Sequence, residues 1–274
     1  MNGKLYLCST PIGNLEDITY RVVRTLSEVD VIAAEDTRHS LKLLNHFDIK
    51  KPMVSYYEHN KIQRGNEIIA MLKEGKNVAL ISDAGMPAIS DPGEELVMQC
   101  IEENIDVVPL PGPNAALTAL IASGMPTGRF AFHGFLTTNK TARKQHLMEI
   151  AEMEETVILY EAPHKLRSTL KDMLECLGNR RIALCRELTK TFEEFIRTDI
   201  ESAMALYEEK PPKGEYVIII EGKQKQAGDE FKDFSVEELY EMYIGQGMND
   251  KDALKAVAKD KGISKRDVYA KVKV

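Results

Sequence analysis

The chain has 274 residues, 43% hydrophobic and 29% charged, enough apolar material for one large or two ordinary domains, which excludes a disordered or fibrous protein. Net charge is −7, but residues 250–274 hold seven Lys and one Arg against four Asp, so that end carries +4 and the remainder −11. This asymmetry points to an anionic partner for the tail. Cys8, Cys100, Cys176 and Cys185 lie too far apart for a CxxC metal or redox pair, and they read as small buried hydrophobes in a reducing compartment.

Residues 1–7 lead almost directly into strand-like sequence, without the basic and apolar regions of a signal peptide. The longest apolar stretch, 107–125, is interrupted by Pro109, Pro111, Gly112, Pro113 and Asn114, so no membrane span and a cytoplasmic protein are expected. Apolar runs at 5–9, 31–34, 78–82 and 107–110 predict buried strands, and 20–27, 63–74 and 94–103 carry helical spacing. Residues 114–123 predict a connecting helix with Asn114 as N-cap and Gly124 at its end. Strands follow at 129–135, 156–160, 182–186, 193–197 and 216–220, with helices around 142–153 and 165–177. From residue 224 the chain turns polar, then gives short helical patterns at 236–244, 251–259 and 265–272. Gly262 and Ser264 stand where a helix-turn-helix needs its turn and its cap. The expected fold class is therefore α/β: two α/β domains, 1–113 and 114–222, with a cleft between them, and a small helical appendage over 223–274.

Each strand of the first half ends in residues that carry chemistry. The first turn, STPIGN at 9–14, lacks GxGxxG and GxxxxGK[ST], and Pro11 stands where a dinucleotide site needs glycine. Glu35, Asp36 and Arg38 crowd the second strand end. They read either as an ion-paired helix start with Asp36 or Thr37 as cap, or as a cluster that orients a substrate hydroxyl. The third strand runs into SDAGMPAISDPG at 82–93, a loop more elaborate than sheet connection demands, and the fourth into PLPGPNAA at 109–116, where small residues let a ligand approach backbone. No His pairing of the HExxH type occurs, and no metal is expected.

STPIGN, AEDTR, LISDAGMPAISDPG, PLPGPNAALTALIASG, YEAPHKL, CRELTK and GEYVIIIEG occur in one order over residues 4–222. Together they resemble the ribosomal RNA small subunit methyltransferase I family, 16S rRNA cytidine 2′-O-methyltransferases of the tetrapyrrole methylase superfamily. The loop Thr137-Thr138-Asn139-Lys140 departs from the Pro and basic cluster usual there, leaving Lys140, Arg143 and Lys144 as the local positive charge. The resemblance implies S-adenosyl-L-methionine folded into the interdomain cleft, against Pro11 and Ile12, against Asp83, Met86, Pro87 and Ala88, and against Asn114 and Ala115. From the second domain it implies Glu161, Ala162, Leu188, Glu215 and Tyr216. It implies transfer to a cytidine 2′-oxygen in the decoding region, with small-subunit RNA in the assembled subunit as partner and a homodimer as the assembly. Glu35, Asp36 and Arg38, with His59 and Asn60, are the residues expected to orient the ribose and phosphate and to hold the base, while Lys190 and His164 have equally good structural uses. The alternative is a methyltransferase of the same fold acting on a tetrapyrrole or other small molecule, against which AEDTR, YEAPHKL and the basic tail count.

Overall fold

The computed structural model describes residues 1–224, 231 and 234–272. The first half builds β1 (Leu5–Cys8), β2 (Val31–Ala34), β3 (Met53–Ser55), β4 (Val78–Ile81) and β5 (Val107–Leu110) into one sheet of order β3-β2-β4-β1-β5. All four pairings are parallel. Parallel strands need crossovers, supplied by α1 (Tyr20–Glu28), α2 (Thr37–His46), α3 (Lys61–Lys73) and α4 (Gly93–Glu102). Both sheet faces are covered, which is why β4 is apolar throughout. Val78 and Leu80 pack with Ile68, Leu72 and Leu96 on one side, while Ala79 and Ile81 pack with Val22, Leu26 and Leu44 on the other. Pro109 is tolerated because β5 is an edge strand.

The second sheet, of order β6-β7-β10-β8-β9, is mixed. It contains β6 (Phe130–Phe135), β7 (Thr156–Glu161), β8 (Arg181–Arg186), β9 (Glu194–Asp199) and β10 (Tyr216–Ile220), with only β6 and β7 parallel. One face packs on α6 (Lys140–Glu152), α7 (Pro163–Leu177) and α8 (Ile200–Glu209), the other on α5 (Ala115–Ser123). Asn114 does cap α5, accepting the Leu117 N–H at 2.9 Å, and Gly124 closes it at φ 79°. Of the elements absent from the sequence reading, β3 has only three residues and lacks a period-2 signal, and α8 follows directly on β9. The α8 helix starts where Asp199 accepts the Ser202 N–H at 2.9 Å.

Residues Met1–Glu221 form one compact unit and Gly222–Val274 another. The boundary expected at 113/114 lies inside the first unit, between β5 and α5, where the chain passes from one sheet to the other. The second unit contains α9 (Val236–Gly245), α10 (Asp250–Lys261) and α11 (Lys265–Val272) around Leu239, Ala253, Val257 and Val268. Gly262 takes the left-handed turn at φ 63°, and the Ser264 hydroxyl accepts the Asp267 N–H at 3.2 Å. Most of the expected polar linker, 225–230 with 232 and 233, falls outside the described residues. All four cysteines are free, and burial raises the thiols of Cys8 and Cys185 to about 12 and that of Cys100 to about 11, so they are inert packing groups. Among the described residues no helix is long and apolar enough to cross a membrane.

Candidate active site

In the first sheet the chain leaves β2 toward β3 and β4 toward β5, so the turns after these adjacent strands diverge and open a crevice at their carboxyl ends. The turn after β4 is also tied to the turn after β1. Thr10 and Gly85 exchange both backbone hydrogen bonds, at 2.9 and 3.0 Å, and the Thr10 hydroxyl donates to the Ser82 carbonyl at 3.2 Å. Gly85 adopts φ 84°, a conformation that costs glycine little. The first turn also meets the loop after β8. A Cβ on Gly13 would lie 2.9 Å from the Leu188 carbonyl oxygen, and the Asn14 N–H donates to the Thr189 hydroxyl at 3.1 Å.

These loops enclose a cavity of about 520 Å³ within the first unit, a size usual for a small-molecule cofactor. Among the described residues, four of the six non-glycine residues with positive φ belong to its loops: Ala88 (68°) and Ser90 (63°) after β4, and Glu187 (50°) and Thr189 (65°) after β8. Each left-handed residue costs roughly 1 kcal/mol, and such strain concentrates where backbone groups are aimed at a ligand.

Of the residues expected to hold the cofactor, Ile12, Asp83, Met86, Asn114, Ala115, Glu161, Ala162, Leu188, Glu215 and Tyr216 line this cavity. Pro11, Pro87 and Ala88 sit beside them in the same loops without lining it. Glu35 is the one member of the proposed catalytic cluster among the lining residues. Asp36 instead caps α2, accepting the Arg38 and His39 N–H groups at 2.8 and 3.4 Å and pairing with the Arg38 guanidinium at 3.1 Å. The Arg38 hydrogen bonds hold the Asp36 carboxyl at about 2. His59 is exposed, and the Asn60 side chain closes its own turn, accepting the Tyr57 N–H at 2.8 Å and donating to the Ser55 carbonyl at 3.2 Å.

The electrostatics of the cavity are set by carboxylates. Burial raises Glu35 above the usual range, and the Asp83 and Asp91 carboxylates raise it further. Asp91 is raised by burial, although Oδ1 accepts the Gly93 and Ala88 N–H groups at 2.7 and 2.9 Å, and its buried Oδ2 has no hydrogen-bond partner. On the second-sheet side burial works against the Glu187 carboxylate, but the Glu215 N–H at 3.1 Å and Lys190 at 3.2 Å hold it below the usual range. Lys190 also reaches Glu215 at 3.3 Å and is thereby kept protonated. Glu161, 4% exposed, accepts the Ala162 N–H at 2.8 Å at the start of α7. An acidic, half-enclosed cavity with several constrained backbone groups suits a cationic ligand with polar edges. Among the described residues no group of three or more His, Cys, Asp or Glu could hold a metal ion.

The sequence reading passed over Asp91, Ser90 and Glu187 as lining residues, although each stands in a quoted motif, and also Phe135 and Tyr160, whose rings meet edge to face at 5.5 Å. The signal for Asp91 was available: an Asp two residues before the first helical Gly93 invites a turn in which its carboxylate takes backbone N–H groups. Asn114 serves both the α5 start and the cavity wall. Asn114→Ala is expected to cost about 1 kcal/mol in a thermal melt, as losing a helix cap does.

Comparison with known proteins places this geometry. The model of the tetrapyrrole (corrin/porphyrin) methylases matches residues 4–204. Solved structures of that fold overlay on it: a uroporphyrin-III C-methyltransferase from Thermus thermophilus complexed with S-adenosyl homocysteine (TM-score 0.56, 20% identity, 79% of this chain and 97% of that one) and a diphthine synthase (TM-score 0.63, 11% identity, 82% and 92%). At such identity the likeness establishes the fold. The ribosomal RNA small subunit methyltransferase I of Halalkalibacterium halodurans is 54% identical over 97% of this chain and 93% of its own length, and that of Bacillus subtilis 49% over 97% and 93%. The one from Thermotoga maritima is 47% identical along its whole length, matching 81% of this chain. The chain is a tetrapyrrole methylase by fold and belongs to the ribosomal RNA small subunit methyltransferase I family.

Proposed function

We propose that this chain transfers a methyl group from S-adenosylmethionine to the ribose 2′-oxygen of a cytidine in small-subunit ribosomal RNA. The carrying observation is a cofactor-sized cavity lined by Glu35 from the end of β2 together with Asp83 and Asp91, with Glu35 raised by burial and by those two carboxylates. The cofactor supplies a methyl on a positively charged sulfur. Carboxylates around the cavity attract that cation, and the neutral product of transfer loses the attraction. The Asp91 Oδ2 atom, buried without a partner, fits a ligand donor at the β4 loop.

The ribose hydroxyl is a weak nucleophile, so the protein must position it and accept its proton. Its oxygen forms the new O–C bond as the C–S bond breaks, the bonding pair stays on sulfur, and the proton passes to Glu35. A carboxylate with a raised pKa is a better acceptor than an ordinary one, which favours Glu35 over Asp36. Asp36 fixes the rim instead: its N–H donates to Asp83 Oδ1 at 3.1 Å, joining the β2 and β4 ends. Arg38, whose side chain is 91% exposed, offers a phosphate contact beside the rim.

The test is incorporation of labelled methyl into small ribosomal subunits from cells lacking the modification, beside naked RNA, followed by nucleotide mapping. A single 2′-O-methylcytidine is expected. Label on a base carbon or nitrogen, or on no RNA at all while the cofactor binds, would overturn the reading, and transfer to a porphyrinogen would replace it.

A further inference from the structure

A second cavity of about 520 Å³ adjoins the first. The two share Glu187 and Tyr216 as a common wall. Its far side is formed by Phe192, by Leu206 and Tyr207 of α8, and by Lys210 and Lys213 from the Lys-Pro-Pro-Lys connection to β10. Nothing assigned so far to the methyl-transfer site uses it.

Two features mark it as built to receive something, beside a wall that Tyr207, only 3% exposed, closes with its ring edge to face against Tyr216 at 5.9 Å. Phe192 is held by the turn in which the Glu193 N–H donates to the Lys190 carbonyl at 3.1 Å, and the residue is 73% exposed, which leaves its ring open to stacking at the cavity edge. Charge completes the pattern. Arg186 is neutralised by Glu194 at 2.5 Å and Glu187 by Lys190 at 3.2 Å, so the Lys210 and Lys213 side chains, which form no ion pair among the described residues, leave the rim positive in a body of net −11.

A flat ring to stack and two ammonium groups beside it describe a nucleotide. We propose that this cavity is a subsite for one nucleotide of the RNA strand flanking the methylated residue, its base stacked on Phe192 and its phosphate between Lys210 and Lys213. The assignment rests on the RNA-methylation reading above. It also gives the loop after β8 a double role. Leu188 and Lys190 face the cofactor cavity and Phe192 the second one, and the positive φ of Glu187 and Thr189 fixes the turn that lets one short segment serve both.

The probe is methyl transfer to unmodified small ribosomal subunits, with cofactor affinity measured separately by titration. Phe192→Ala is expected to raise KM for the subunit about tenfold, the usual loss for one stacked base, with cofactor affinity unchanged. Lys210→Ala with Lys213→Ala is expected to flatten the slope of log(1/KM) against log salt by about 0.7 between roughly 50 and 200 mM, the value for one single-strand phosphate contact. An unchanged KM for Phe192→Ala or an unchanged salt slope for the double lysine variant would overturn the subsite, as would a loss confined to cofactor affinity. In either case transfer by the wild-type chain would leave the functional reading standing. If the wild-type chain methylates no RNA, the reading and the subsite fall together.

Discussion

Glu35→Gln is expected to lower the single-turnover rate of methyl transfer by about 10²- to 10⁴-fold while changing cofactor affinity little, because it removes a proton acceptor and keeps the shape of the rim. The pH profile sharpens the test. Burial, then Asp83 and Asp91, raise the carboxyl above its ordinary 4.5, and a base must be ionised, so the wild-type rate should fall as pH drops through a midpoint above that value. The variant's residual rate should be flat there. The same shift bears on folding with the opposite sense. A raised carboxyl favours its neutral form in the folded chain, so its contribution to stability is present below the unfolded pKa and lost as pH rises through the folded one. At neutral pH Glu35→Gln should therefore melt no lower than wild type, the mark of a group placed for chemistry rather than stability. Asp36→Asn should behave inversely. With its carboxyl held at about 2 by the Arg38 hydrogen bonds, Asp36 stabilises the folded chain above the unfolded carboxyl range and loses that effect as pH falls through about 2. That variant should weaken the α2 start and leave most of the transfer rate. Equal rates for Glu35→Gln and wild type at saturating RNA would remove Glu35 as the base.

The contrast between these neighbouring carboxylates indicates what the sequence could carry. It placed both at one strand end, because an apolar run stopping at Ala34 puts the next residues on the carboxyl edge of the sheet, where ligands bind. It left the choice between them open, because that depends on Asp83 and Asp91, some fifty residues away, and on the depth of each side chain. The loops were legible for a similar reason. Two Gly/Pro-rich turns at adjacent strands predict a pocket, but the left-handed Ala88 and Ser90 have no local signature, since their strain is sustained by the Asp91 carboxylate gripping the Ala88 and Gly93 N–H groups. Asn60 illustrates the reverse. It is expected to act with the Glu35 cluster, while its side chain is occupied in closing its own turn. The Asn114 cap and the Gly262 turn, whose causes lie within four residues, were read correctly, and β3, with only three residues, was not.

Arg143→Met is expected to destabilise the second sheet strongly. Arg143, only 7% exposed, donates from Nη2 to the Thr169 hydroxyl at 2.8 Å and pairs through Nε with Asp172 at 2.7 Å. Because the Thr169 oxygen accepts from the guanidinium, its single proton is free to go to Glu161 Oε2, whose other oxygen takes the Ala162 N–H. The chain Asp172–Arg143–Thr169–Glu161 thus runs from α6 to a buried carboxylate in the cavity wall. Methionine fills the space but removes both the partner of Asp172 and the donor that turns the Thr169 proton toward Glu161. Losing a buried, hydrogen-bonded charge of this kind costs about 3–5 kcal/mol, and the lower end applies here, because the half-exposed Asp172 can be rehydrated. For a unit of this size that is a fall in Tm of roughly 6–12 °C. Asp172→Asn, at the solvent end of the same chain, should cost less than about 1 kcal/mol. Cofactor affinity should follow the same order, falling for Arg143→Met and holding for Asp172→Asn, because only the first releases Glu161 from its position. Similar melting temperatures for the two variants would mean that water, rather than Arg143, compensates Glu161, and the cavity wall would then owe its acidic edge to hydration.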